Sequence, residues 1–216
     1  MMNLARHFPP AVETRVAERY RVVRHREGNV LSAAKLAAAA TGADYLYVSA
    51  TETVSRDVIV ALSATLKEIG ALSVGFDHID LAEAREFGIA VFHAPEVLSE
   101  ACAEFGMLLV LNAARRGHEA DALVRLGKWT GWASMRLVGT GLVRKRLGVL
   151  GMGRIGGEVA QRARPFGMTV HYHNRKQLSE TLEEDAVYHA TPEQLLAVSD
   201  VTVISTPASP ALRVPQ

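Results

Sequence analysis

Two rhythms run along this chain: short apolar runs of strand length, and longer stretches with an apolar position every three or four residues. Residues 11–20 follow Pro9 and Pro10 and read as a helix, since proline is accepted in a first helical turn. Residues 20–24 form a short strand. Residues 32–40 are alanine-rich and helical, with Ser32 placed to cap them. Residues 45–48 read as a strand, 56–61 as a helix, and 66–72 as a strand running into a turn at 73–75. A helix over 81–87 closes at Gly88, where a C-terminal glycine belongs. Residues 90–92 are again a strand. Strands separated by helices of this length predict βαβ units, a parallel sheet and the α/β class.

A long helix follows, capped by Ser99. Ala101, Phe105, Leu108, Leu109 and Asn112 keep the helical rhythm, and Arg115 and Arg116 suit its last turn. Its middle is apolar nearly all round, which predicts burial on most sides. The irregular stretch 127–141 holds four glycines and both tryptophans, Trp129 and Trp132. Such a loop packs on its own body or on a partner subunit. The triplet Arg144–Lys145–Arg146 reads as the solvated start of the next strand.

Composition narrows the class. The chain has 216 residues, 49% hydrophobic and 22% charged, with 24 Lys+Arg against 23 Asp+Glu and a net charge of +1. That balance excludes a disordered chain and a disulfide scaffold. It gives no support to nucleic-acid or membrane binding through bulk charge. The single cysteine, Cys102, cannot form an internal disulfide and reads as a buried thiol. No run reaches the roughly 18 apolar residues of a membrane span, and no signal-peptide core is evident, so the default location is the cytoplasm. No metal-ligand set stands out.

The chemistry concentrates after residue 146. The apolar strand RLGVL runs directly into Gly151-Met152-Gly153-Arg154-Ile155-Gly156, and a helix follows with Ile155, Val159, Ala163 and Phe166 on one stripe. A strand, G-x-G-x-x-G and a helix in that order form the dinucleotide-binding fingerprint. Gly151 permits the tight turn, Gly153 lets the backbone approach a pyrophosphate, and Gly156 lets the helix pack on the sheet. The helix N-terminus, with Arg154 and Ile155 in its first turn, offers free N–H groups and a positive dipole end to the phosphates. The next strand, 169–173, ends in His173-Asn174-Arg175-Lys176. A carboxylate there would bind the ribose hydroxyls of NAD and repel a 2′-phosphate. With no acid, Asn174 left to meet the ribose, Arg175 able to grip a phosphate and Lys176 adding charge, NADPH is favoured and NAD is the alternative. The competing reading of Arg175 and Lys176 is a solvated turn. Further strands at 187–188 and 201–204 flank a helix at 192–197 capped by Thr191. Thr206 and Pro207 lie at a carboxyl strand end, where ligands sit in open α/β sheets.

Several segments in one order carry a family resemblance: LSVGFDHIDL at 72–81, APEVLSEACAEFGMLLVLNAARR at 94–116, GKWTGWA at 127–133, LGVLGMGRIGGEVAQRARPFGM at 147–168 and HYHNR at 171–175. The chain resembles the D-isomer-specific 2-hydroxyacid dehydrogenases, in their glyoxylate/hydroxypyruvate reductase (glycerate dehydrogenase) branch, from about Phe8 to about Arg213. The resemblance implies a flavodoxin-like substrate domain over 1–95 and a Rossmann domain over 96–216 with strand order 3-2-1-4, both incomplete. It implies NAD(P)H-dependent reduction of a small 2-oxo acid to the D-2-hydroxy acid. It also implies that the Val74–Gly75 backbone helps hold the substrate carboxylate, as an anion nest of successive N–H groups would. The alternative for that segment is an ordinary turn. His78 and Asp80 read as loop-fixing groups rather than acid–base residues. The tryptophan loop matches a dimerisation segment at about 115–142, implying a homodimer. The family's catalytic arginine, glutamate and histidine would fall past Gln216, so no catalytic residue is assigned. The chain reads as truncated, with an inactive dinucleotide-binding remnant as the alternative function. Only residues 1–5 stand where the family has an apolar strand, so the substrate domain is expected to lack its first strand.

Overall fold

Two parallel sheets account for the alternation in the sequence. The structure, a computed structural model, describes residues 1–25 and 29–207. The far end of the resemblance, near Arg213, lies outside the described residues. The chain divides into two compact units, Met1–Val97 and Leu98–Gln216.

The first unit has strands β1 (Met2–Leu4), β2 (Val22–Arg24), β3 (Tyr45–Ser49), β4 (Glu68–Leu72) and β5 (Ala90–Phe92). Its helices are α1 (Pro10–Ala17), α2 (Ala33–Ala39), α3 (Arg56–Leu62) and α4 (Leu81–Glu86). The sheet order is β2-β1-β3-β4-β5, all parallel, which is the flavodoxin-like order. The expectation of a missing first strand is therefore wrong. Met2 pairs with Val22 on one side and Tyr45 on the other, so three residues suffice for an inner strand. Met2, Leu4 and Ala5 are buried, and Ala5 joins Leu36, Leu46, Ile59 and Ile69 in one core. Ser32 caps α2 by accepting from the Lys35 amide at 3.4 Å.

The second unit opens with α5 (Ser99–Arg115) and α6 (Gly117–Arg125). It continues through β6 (Arg146–Leu150), α7 (Arg154–Ala163), β7 (Thr169–His173), α8 (Glu180–Glu183), β8 (Val187–Tyr188), α9 (Pro192–Val198) and β9 (Val201–Ile204). The sheet order is β8-β7-β6-β9, the expected 3-2-1-4. Here α7 lies against α5, and the Cβ that Gly106 lacks would sit 3.3 Å from Val159 Cγ2. The shared core contains Ala103, Met107, Val110, Leu147, Val149, Val159, Ala163, Val170 and Tyr172.

Several local readings of this unit need correction. The buried face of α5 is Ser99, Ala103, Met107 and Val110. Phe105, Leu108 and Leu109 are 59%, 50% and 54% exposed, so the all-apolar middle is covered on one side only. Ser99 is the first helical residue rather than the cap, and its buried Oγ has no partner. Cys102 is exposed, because it falls on the uncovered side. Arg115 sits in the last turn of α5 as expected, whereas Arg116 is the cap that follows it. It adopts a left-handed φ of 52° and turns the chain into α6. Its guanidinium holds Glu119 in the first turn of that helix at 2.9 and 2.6 Å. Phe166 sits in a 3-10 turn after α7 and is exposed, so the stripe on α7 ends at Ala163. The basic triplet is more than a solvated strand start. Asp200 accepts from the Arg146 amide at 2.9 Å and pairs with the Arg146 and Lys145 side chains at 3.1 and 3.4 Å. The Arg146 amide, then its guanidinium, hold the Asp200 carboxyl down at about 2. Among the described residues no helix is long and apolar enough to cross a membrane. No group of three or more His, Cys, Asp or Glu among them could hold a metal ion.

Candidate cofactor and substrate sites

The turn between β6 and α7 is built by its glycines. Gly151 has φ +93°, and a Cβ there would lie 2.6 Å from both the Ser205 carbonyl oxygen and Thr206 Cγ2. The end of β9 thus lies directly against the turn, which brings Thr206 to the motif. Gly153 caps α7, and no atom lies within 4 Å of where its Cβ would be. That open side is what a pyrophosphate approaching the backbone needs. Gly156 is buried, and a Cβ there would fall inside contact distance of the Gly151 carbonyl oxygen and 3.0 Å from Val149 Cγ1. The first N–H groups of α7, at Arg154, Ile155 and Gly156, have no intrahelical acceptors and carry the positive end of the helix dipole. These features fit a dinucleotide pyrophosphate.

The end of β7 is tied to this turn. The Gly151 amide donates to the His173 carbonyl at 3.0 Å. Asn174 bonds the Met152 backbone reciprocally: its Oδ1 accepts from the amide at 2.7 Å and its Nδ2 donates to the carbonyl at 3.2 Å. Asn174 therefore braces the glycine turn, a role that strand-end position alone did not signal, and retains one N–H beyond that to Met152. Arg175 and Lys176 follow, both exposed. Beneath them, Tyr172 is fully buried and bonds Glu183 and the Leu178 amide. On the opposite face of β7, His171 Nδ1 lies 2.9 Å from His189 Nε2, with the rings stacked. Burial first, then the charge of His189 and Arg146, lowers the His171 pKa.

In the first unit, the loop after β4 holds Val74 and Gly75. The Ser73 hydroxyl donates to the Gly75 carbonyl at 2.6 Å, and the Val74 carbonyl lies 3.0 Å from His93 Nδ1. His93 meets Phe76 edge to face. No acceptor among the described residues takes the amide N–H of Val74 or Gly75, as an anion nest requires. The Asp77 carboxylate stands close to this nest, 3.3 Å from where a Gly75 Cβ would be. Asp80 caps α4 through the Glu83 amide at 3.1 Å. The His78 carbonyl accepts from the Val54 amide at 2.8 Å, while its buried Nε2 has no partner.

In the tryptophan stretch, Trp132 is 84% exposed and Met135 82%. The Arg136 guanidinium lies over the Trp129 ring, 5.5 Å from its centroid.

Two parallel α/β sheets, one carrying a glycine turn against a helix N-terminus, define a dinucleotide-binding architecture. Residues 107–214 match the NAD binding domain of the D-isomer specific 2-hydroxyacid dehydrogenases, and the chain belongs to that family. It is 34% identical over 208 residues to glycerate dehydrogenase of Hyphomicrobium methylovorum, a match covering 95% of this chain and 65% of the relative. It is 41% identical to glyoxylate reductase of Aeropyrum pernix over 79% of this chain and 52% of the relative. Among solved structures, a D-isomer specific 2-hydroxyacid dehydrogenase, NAD-binding, of a Polaromonas species superposes with a TM-score of 0.91 at 51% identity. That match covers 98% of this chain and 66% of the other. The chain thus spans about half to two thirds of the length of these relatives.

Proposed function

We propose that this chain carries the cofactor domain and the substrate-carboxylate loop of a cytoplasmic NADP(H)-dependent reductase. Its substrate is a small 2-oxo acid, glyoxylate or hydroxypyruvate, reduced to the D-2-hydroxy acid. The carrying observation is the glycine turn at 151–156, with Asn174, Arg175 and Lys176 presented beside it. The names of the relatives, glyoxylate reductase and glycerate dehydrogenase, support the substrate class. A bound nicotinamide cofactor supplies the hydride. The residues of this chain bind and orient. Gly153 and the first turn of α7, at Arg154 and Ile155, receive the pyrophosphate. Thr206, which lies against Gly151, and Pro207 after it are read as cofactor-binding. Asn174 sets the turn's position and keeps an N–H for ribose. The Val74 and Gly75 amides receive the substrate carboxylate. No proton-transfer residue is assigned.

NADPH is preferred over NADH in this reading, because no acid ends β7 and two unpaired cations do. Among the described residues neither Arg175 nor Lys176 has a hydrogen-bond or ion-pair partner. Fluorescence titration of the chain is expected to give tighter binding for NADPH. Arg175→Ala should weaken NADPH by roughly 1.5–3 kcal/mol, the scale of a charge-assisted bond, and leave NADH unchanged. Equal affinities in the unaltered chain, or tighter NADH, would remove the preference.

The chain acts as a homodimer in the same reading. Phe105, Leu108 and Leu109 on α5 and Trp132, Met135 and Val138 in the tryptophan stretch are large apolar groups left exposed. Apolar exposure of this extent marks association surfaces. Light scattering should give a dimer for the unaltered chain and a monomer for Leu109→Asp combined with Trp132→Asp. A dimer that survives both changes would place the interface elsewhere.

A further inference from the structure

The segment 174–178 carries both cations assigned to the ribose end of the cofactor, and it is held at each end by a tyrosine. At its start, the Tyr188 hydroxyl donates to the Asn174 carbonyl at 3.3 Å. At its end, the Leu178 amide donates to the Tyr172 hydroxyl at 3.0 Å. The Tyr172 hydroxyl in turn donates to Glu183 Oε1. The same carboxylate oxygen accepts from Gln177 Nε2 at 2.9 Å, so one acid gathers Gln177 and Tyr172 together. Tyr172 itself is fully buried in the core of the second unit.

A buried hydroxyl costs free energy unless it is hydrogen-bonded. A phenylalanine ring would fill the same core without that demand. Both bonds of the Tyr172 hydroxyl go instead to groups at the far end of the 174–178 segment or on α8. Burial, and next the bond to Glu183, push its pKa up to about 12, so it keeps its proton and stays a donor.

We propose that Tyr172, acting with Glu183, is a positioning residue that fixes the 174–178 segment and thereby sets the discrimination of NADPH from NADH. Neither residue touches the cofactor. They reduce the freedom that Arg175 and Lys176 would otherwise lose on meeting a 2′-phosphate, and such preorganisation adds affinity without a new contact. NADH lacks the group those cations meet, so its binding depends little on the segment. This rests on the NADPH reading above.

The test compares the unaltered chain with Tyr172→Phe, Glu183→Ala and Glu183→Gln. Three readouts are needed: the NADPH and NADH dissociation constants, thermal unfolding, and amide hydrogen exchange of 174–178 without cofactor. Tyr172→Phe and Glu183→Ala should each weaken NADPH about five- to tenfold and NADH less than about twofold, the scale of ordering one or two side chains. Glu183→Gln keeps an acceptor oxygen and should restore the ratio. Exchange at 174–178 should quicken in the first two variants and not in the third. A weakening shared equally by both cofactors, or an unchanged ratio, would overturn the proposal. If the unaltered chain binds both cofactors alike, the NADPH reading has failed on its own. Exchange at 174–178 then still decides whether Tyr172 anchors the segment, and unchanged exchange in Tyr172→Phe would refute the anchor. Glu183 lies on the partly exposed α8, so its variants keep the test available should Tyr172→Phe fold poorly.

Discussion

Gly156→Ala is expected to destabilise the second unit by roughly 3 kcal/mol and to lower dinucleotide affinity at least about 100-fold, whereas Gly157→Ala one residue on should stabilise it. The added methyl at 156 would press into the Gly151 carbonyl oxygen and lie 3.0 Å from Val149 Cγ1. Neither neighbour can swing aside. Gly151 holds a φ of +93° in the turn after β6, packed against Ser205 and Thr206, and Val149 is fully buried in β6. Relief requires α7 to lift off the sheet, which loosens Val159, Ala160 and Ala163 together. Overpacking of a tight core costs typically about 1–3 kcal/mol, and backbone neighbours put this site at the upper end. The same lift moves the N–H groups of the first turn away from the pyrophosphate. At Gly157 no atom lies within 4 Å of the added methyl, and the position is inside a helix. Alanine there should add about 0.5–1 kcal/mol through propensity. Urea unfolding with parallel NADPH titration checks both. Equal effects at the two positions would show that backbone freedom, and not close packing, is what position 156 requires.

The contrast between those neighbouring glycines shows where sequence was informative. The G-x-G-x-x-G spacing marked positions 151, 153 and 156 and passed over 157, and the contacts explain each choice. Strand order 3-2-1-4 came with the family resemblance rather than with the motif, and the sheet has that order. The pattern was weaker where it had little length to work with. Met2–Leu4 is three residues, too short for a period, and only its two parallel neighbours make it an inner strand. In α5 the difficulty was opposite. A helix apolar on every side has no preferred face, so periodicity selected the Phe105 and Leu109 side while the core took Ala103, Met107 and Val110. Cys102 was misjudged with it. Contacts distant in sequence left no local trace. Asn174 binds Met152 across 22 residues, and Tyr172 meets Glu183 across 11. One clue was available, because Val170 and Tyr172 alternate with His171 and His173, placing the tyrosine on the core face of β7.

Glu52→Ala is expected to destabilise the first unit by roughly 3–5 kcal/mol, the usual cost of removing one partner from a buried ion pair. The Glu52 side chain is 0% exposed and lies 2.8 Å from the Arg6 guanidinium, itself only 19% exposed. Its Oε2 accepts from the Ser49 amide at 3.1 Å and the Ser49 hydroxyl at 2.8 Å, and its Oε1 accepts from Thr51 at 3.2 Å. One carboxylate thereby joins the carboxyl ends of β3, the central strand of the sheet, and β1, its inner neighbour. Alanine would leave the Ser49 amide without its acceptor and remove the carboxylate that lies against the Arg6 guanidinium. Glu52→Gln keeps the shape and one acceptor oxygen, so it should cost less. The two variants also separate charge from packing in their pH dependence. Burial pushes the Glu52 pKa up, but the two Ser49 bonds, Arg6 and Thr51 outweigh it and leave it below the ordinary 4.5. A depressed folded pKa means the unfolded chain binds the proton more readily. The stabilisation from Glu52 is therefore complete above the ordinary carboxylate value and is lost as pH falls through the folded one. Unfolding followed from neutral pH downward should show the unaltered chain converging on Glu52→Gln in acid, while Glu52→Ala stays below both. If the gap between the unaltered chain and Glu52→Gln persisted at the lowest pH, the stabilisation would come from shape and hydrogen bonding rather than from the ionised carboxylate.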